Sequence, residues 1–187
     1  IYRIGHHGKD LLTPALGVLE HKTIEPGVIL EDGELKITAY VGEHPPIEPA
    51  VGYRVDYRGR SVVISGDSNV NDNTLKIVVG AELLLHDALS LPTTSALANA
   101  LGAAGQSRQS QIVTDVLDYH ASTDSLVELG EKSNVGMVAF YHLVPVPPTA
   151  LLKDVFLRGA PDNFLLTEDL MWFELPIGSE DIFVNRP

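Results

Sequence analysis

Apolar and polar residues alternate through Leu35, Ile37 and Ala39 in GELKITAYVGEH, the period of a strand with one buried face. The prolines of HPPIEP end that ladder. AVGYRVDY and RSVVISGD are two further strand patterns separated only by the tight turn at Arg58–Gly59, which predicts a hairpin with Asp67 at its far end. In ELLLHDA and VGMVAFYHLVP the alternation gives way to continuous apolar runs, as expected of strands covered on both faces. Helical spacing separates them. NDNTLKIVVG places Leu75, Val78 and Val79 toward a core, with Asn71 or Asp72 as cap and Gly80 as stop. Residues 93–118 predict a helix broken near Gly102 and Gly105, its later part presenting Ile112, Val113, Val116 and Leu117. STDSLVELGEKS opens another helix on a Ser or Thr cap. A short helix near 149–157 and strands near 163–175 complete the pattern. The first thirty residues, punctuated by Gly5, Gly8, Pro14, Gly17, Pro26 and Gly27, predict loop. Strands alternating with helices in the middle, flanked by hairpins, make an α/β fold with a mixed sheet covered by helices. There is no internal repeat, and residues 1–187 read as a single domain.

Three apolar strands end on polar residues: VVISGD on Asp67, LLLHD on His86 and Asp87, VAFYH on His142. His120 stands in a loop just ahead of a helix, and His44 follows a strand. A sheet places the short loops at its strand ends side by side, so polar groups recurring there point to a site. The chain has no cysteine, which excludes disulfides and thiolate metal sites and is compatible with the cytoplasm. Asp and His without Cys suit zinc, manganese or iron. Net charge is −12, from 13 basic and 25 acidic residues. That balance does not favour nucleic acid, whose phosphates need a basic footprint, and mildly favours cations. No run of 18 apolar residues predicts a membrane span, and IYRIGHHGKD lacks a signal-peptide layout. The chain opens on Ile1 in mid-pattern, which reads as a processed or partial chain.

Taken in order, HPPIEPAVGYRVDYRGRSVVISGDS, LLLHDA, HAST and YHLVPVPP resemble the metallo-β-lactamase superfamily, in its RNase Z and arylsulfatase-like branches, over roughly Gly33 to Pro148. The resemblance implies the C-terminal half of an αββα sandwich. It also implies a metal-dependent hydrolase, with two zinc ions (manganese or iron being alternatives) and an ester-type substrate, phosphodiester or sulfate ester. Asp67 matches the aspartate that bridges two metal ions, and His142 the histidine that binds one of them. His120 matches the histidine that donates a proton to the leaving group. Asp87 stands where the family has a Glu that orients this histidine, with a side chain one methylene shorter. His44 lies toward the substrate side, His86 is structural, and His6, His7 and His21 match no motif. In such a site two cations about 3.5–4 Å apart lower the pKa of a shared water, and a positioned imidazole protonates the leaving oxygen.

The family's HxHxDH motif is absent from the sequence. The resemblance therefore implies that a sheet face meets either a second copy of the chain or a missing N-terminal half. The alternative is a truncated or degenerate non-catalytic homologue, or a subunit completed by a partner chain.

Overall fold

The hairpin at Arg58–Gly59 is present in the computed structural model, which describes residues 22–187. Strand β3 (Val51–Tyr57) pairs antiparallel with β4 (Arg60–Ile64), with Tyr57 opposite Arg60 and Tyr53 opposite Ile64. On the other side β3 pairs antiparallel with β2 (Leu35–Val41), and β2 with β1 (Gly27–Asp32). Beyond β4 the sheet turns parallel: β5 (Leu83–Leu89), β6 (Met137–Val144) and β7 (Phe164–Leu166) follow in chain order. Parallel neighbours need crossovers, usually helical. These are α1 (Asp72–Val78) between β4 and β5, then α2 (Leu91–Ala103), α3 (Ser107–Asp115), a 3-10 turn (Val116–Asp118) and α4 (Thr123–Ser133) between β5 and β6. Helix α5 (Ala150–Phe156) lies between β6 and β7. A separate two-stranded ribbon, β8 (Trp172–Glu174) with β9 (Phe183–Asn185), ends the chain. Arg60 donates to the carbonyls of Pro176 at 3.3 Å and Asp181 at 3.0 Å, tying the ribbon's connecting loop to the start of β4.

Local signals account for most of these elements. Asn71 caps α1, its Oδ1 accepting the backbone N–H groups of Asn73 and Thr74 at 2.9 Å each. Ser122 caps α4, accepting from the N–H of Ser125 at 3.1 Å. The segment read as one broken helix over 93–118 is two helices, and Gly105, at φ +75°, sits in the turn between them. The first begins earlier than the pattern predicts, at Leu91, because Pro92 suits a helix's first turn. Two strands differ from expectation. The loop expected over the first thirty residues gives way at Gly27 to β1, whose Val28 and Leu30 stay exposed, so an edge strand left a weak hydrophobic signal. Strand β9 is only three residues long and lies beyond the predicted strands. The loop expected over the earliest residues, with His6, His7 and His21, lies outside the described residues.

One face of the sheet presents Val63, Leu84, Val138 and Phe140 to Val78 of α1, Leu126 and Leu129 of α4 and Phe156 of α5, forming the main core. Apolar burial of this kind stabilises by about 25 cal/mol per Å2. By register, Val55, Val62, Ile64, Leu83 and Leu85 share the opposite face. That face is only partly covered: Ile64 is 37% exposed and Tyr57 42%. Met171 and Phe173, from the ribbon end of the chain, help to line a cleft over Ile64, Leu85 and Tyr141. Among the described residues no helix is long and apolar enough to cross a membrane.

Candidate active site

The turn Ser65–Gly66–Asp67 ends β4 against a wall of backbone. Gly66 sits at φ +69°, and a Cβ there would lie 2.8 Å from the carbonyl oxygen of Val51, so both conformation and space demand glycine. The N–H of Ser65 still pairs with the Leu85 carbonyl at 3.0 Å, holding the turn to β5. Asp67 is thereby swung out of the sheet, its side chain half exposed. Ser68 is fully buried; its N–H donates to Asp87 Oδ1 at 3.1 Å and its hydroxyl accepts the N–H of Glu43 at 2.8 Å. A Cβ at Gly42 would come within 2.5 Å of that hydroxyl, which explains the glycine before Glu43.

His142 reaches Asp67 because β6 carries an extra residue. Asp87 faces Tyr141 and Ala88 faces Leu143, so His142 is a bulge between them. Its φ is +42°, a region that residues with a side chain occupy at a cost. The bulge turns its ring toward Asp67, with Nε2 3.7 Å from Oδ2.

His120 is drawn in by backbone pairing. The N–H of Leu89 donates to the carbonyl of Ala121 at 2.7 Å, and Ser122 bridges Leu89 in parallel, laying the loop alongside β5. The His120 Nδ1–H then donates to Asp87 Oδ2 at 2.7 Å. The His120 and His142 rings stack with centroids 5.3 Å apart. The shorter Asp87 thus spans the distance to His120. His86, read as structural, is fully buried beside it, with Nδ1 2.9 Å from the Asp87 carbonyl and 3.0 Å from Oδ1. Both neighbours are acceptors, so Nδ1 carries the proton, and Nε2 is left buried without a partner. Burial works to raise the Asp87 carboxyl, but hydrogen bonds from His120 and His86, with electrostatic attraction to the same two rings, outweigh it and hold the group below its ordinary range.

Two aromatic neighbours complete the cluster. Tyr119 stands 5.0 Å from the His120 ring and 4.6 Å from that of His44, centroid to centroid. His44 meets His120 edge-on at 5.5 Å, and its Nδ1 is buried without a hydrogen-bond partner. Sequence reasoning placed His44 on the substrate side and passed over Tyr119, whose only signal was its position next to His120.

Asp67 and His142 are oxygen and nitrogen donors of the kind zinc takes, but zinc sites use three or four protein ligands or keep one position for water. Among the described residues no group of three or more His, Asp or Glu is gathered closely enough to hold a metal ion. The described residues therefore do not fit a complete metal site by themselves.

No profile of a protein family matches the chain. The architecture is that of the metallo-β-lactamase fold. It superposes on zinc-bound PqqB from Methylobacterium extorquens with a TM-score of 0.56, covering 88% of this chain and 59% of that one at 16% identity. The metallo-β-lactamase fold protein YhfI from Bacillus subtilis gives a TM-score of 0.51 over 74% and 49% of the two chains, at 14% identity. A diphosphatase of the PhnP family gives 0.52 over 86% and 51%, at 16% identity. In sequence the chain resembles ribonuclease Z: it is 31% identical to that of Mycolicibacterium gilvum over 144 residues, 77% of this chain and 46% of the relative. The ribonuclease Z of Mycobacterium avium matches at 28% over the same shares. The chain spans about half the length of these relatives, their C-terminal part.

Proposed function

We propose that this chain is part of a metal-dependent hydrolase of the metallo-β-lactamase superfamily that cleaves an ester-type substrate, with phosphodiester and sulfate ester as the leading classes. The observation that carries the reading is the Asp87–His120 pair, 2.7 Å apart and stacked against the ring of His142. Asp87 occupies Nδ1 of His120, which fixes the tautomer and leaves Nε2 to hold a proton and deliver it to the leaving oxygen. Ser68 N–H and His86 hold the other Asp87 oxygen, so the carboxylate has little freedom to rotate away. Asp67 and His142 are this chain's contribution to the metal site, which ligands from outside the described residues complete. The zinc in the PqqB relative supports zinc as that metal.

Relatives bearing the name ribonuclease Z support a phosphodiester of RNA within this class. The net charge of −12 belongs to a chain half their length, so it weighs less against RNA than the composition alone suggests. The partly covered sheet face would meet either a second copy or the completing half. A non-catalytic homologue is the competing reading, favoured by the absence of HxHxDH.

The test is hydrolysis of bis(4-nitrophenyl) phosphate and 4-nitrophenyl sulfate by the native gene product with added zinc or manganese. His120→Ala should lower turnover by about 100-fold or more while leaving bound metal unchanged. Metal-independent turnover, or turnover indifferent to His120→Ala, would sink the proposal, and no turnover at all would favour the non-catalytic reading.

A further inference from the structure

An open cleft of about 540 Å3 begins at Tyr119 and is walled by Pro45, Pro46, Asp115 and Asp118. Tyr119 belongs to both cleft and ring cluster, in contact with His44 and His120. The wall is braced: Asn69, two residues after Asp67, donates through its side-chain amide to the Asp118 carbonyl at 2.6 Å, and its own N–H donates to the Glu43 carbonyl at 2.8 Å.

Building on the hydrolase reading above, we propose that this cleft is the subsite for the part of the leaving group next to the scissile bond, and that it takes a planar moiety there that is neutral or cationic and turns away anions; for an RNA phosphodiester that moiety is the uncharged nucleoside, not the phosphates beyond it. A proton donor must sit within hydrogen-bond reach of the atom it protonates. With Nδ1 of His120 bound to Asp87, Nε2 is the ring nitrogen left to meet the leaving atom, and Tyr119, its ring 5.0 Å from that of His120, is the neighbour that also lines the cleft. The lining holds one aromatic ring, the Tyr119 phenol, beside the apolar rings of Pro45 and Pro46, and the phenol ring lies 4.6 Å from the imidazole of His44. Aromatic faces gain about 0.5–1.5 kcal/mol from a stacked ring beyond the area it buries. The charge is of one sign. Segments 43–49, 65–73, 83–89, 115–123 and 141–149, which carry the candidate site residues and cleft walls, hold Glu43, Glu48, Asp67, Asp72, Asp87, Asp115 and Asp118 and no lysine or arginine. Asp115 and Asp118 are exposed at the cleft itself, so an anionic leaving group would enter against them.

The experiment uses two probes with one ring system and different charge, 2-naphthol and 2-naphthalenesulfonate, titrated into the protein while the ring resonances of Tyr119, His44 and His120 are followed by NMR. The neutral probe should shift all three, and Tyr119→Ala should weaken it about tenfold, the stacking term read as affinity. The sulfonate should bind about tenfold more weakly or worse, and the surface double variant Asp115→Asn/Asp118→Asn should recover most of that difference. Equal affinity for the two probes, or shifts confined to residues away from Tyr119, would overturn the proposal. The binding readout needs neither metal nor turnover. A selective cleft in a protein that hydrolyses nothing would remove the hydrolase reading and the leaving-group role with it, and turnover without probe binding would remove this inference alone.

Discussion

Asp87 Oδ2 lies 2.7 Å from Nδ1 of His120, across 33 residues of sequence, although Asp87 is a methylene shorter than the Glu of the motif it resembles. The distance closes from the other side. Because Leu89 binds the Ala121 carbonyl and bridges Ser122, the His120 loop lies directly on β5, and a short side chain suffices. Restoring the longer residue should therefore harm this protein. Asp87→Glu forces a methylene into a fully buried position and should cost about 1–3 kcal/mol. Asp87→Asn keeps the size but loses the charge that accepts from two imidazoles and should cost about 1–3 kcal/mol. Urea unfolding, with midpoints compared at constant slope, measures both.

Acid should find the same pair. The Asp87 carboxyl is held below its ordinary value of 3.8 in the folded chain, so the unfolded chain binds the proton more readily. The stability it contributes is fully present above the unfolded value and is lost as pH falls through the lower folded value. Unfolding free energy should fall with pH below about 4, and the slope should be shallower in Asp87→Asn. A pH series of urea melts checks this, and identical slopes would contradict it.

The glycines along the β3–β4 hairpin differ in what holds them. Gly66→Ala meets both a positive φ and the Val51 carbonyl, so it should cost more than the roughly 1–2 kcal/mol of a left-handed residue alone. Gly59→Ala, at φ +78° with open space around it, should cost only that conformational part. Gly52→Ala would drive a methyl into the ring of buried Tyr40 and should destabilise through packing, by about 1–3 kcal/mol or more. Thermal melts of the three variants should rank Gly59→Ala mildest.

Metal retention separates a partial site from a complete one. Two donors fall short of the three or four protein ligands of stable zinc sites, so the 187-residue chain alone should hold well under one zinc after dialysis against chelator, and hydrolyse little. Stoichiometric zinc by elemental analysis would mean that further residues, His44 first among them, act as ligands.

The sheet face with Ile64 and Tyr57 is expected to be an interface. Leaving several hundred Å2 of apolar surface wet forgoes roughly 10 kcal/mol, comparable with a domain's whole stability. Sedimentation equilibrium should find self-association or a complex with the completing half, weakened by Ile64→Lys. A strict monomer at high concentration would refute the interface.

Periodicity alone carried the sheet's central strands, because alternating or continuous apolar runs are a local property that burial imposes on a strand. The caps at Asn71 and Ser122 were equally local, and so was Asp67, since the glycine before it announces the turn that presents it. Edge strand β1 escaped because half-exposed positions carry little hydrophobic contrast. What brought the site together was long-range. His142 faces Asp67 through a bulge defined only by its register against β5. His120 meets Asp87 through a backbone bridge between segments over thirty residues apart. Tyr119 and its cleft exist because a 3-10 turn lies against the prolines after His44. Local pattern decides which residues form strands and helices and which end them; only packing of those elements decides which ends meet, because register and loop placement depend on partners that no window of sequence contains.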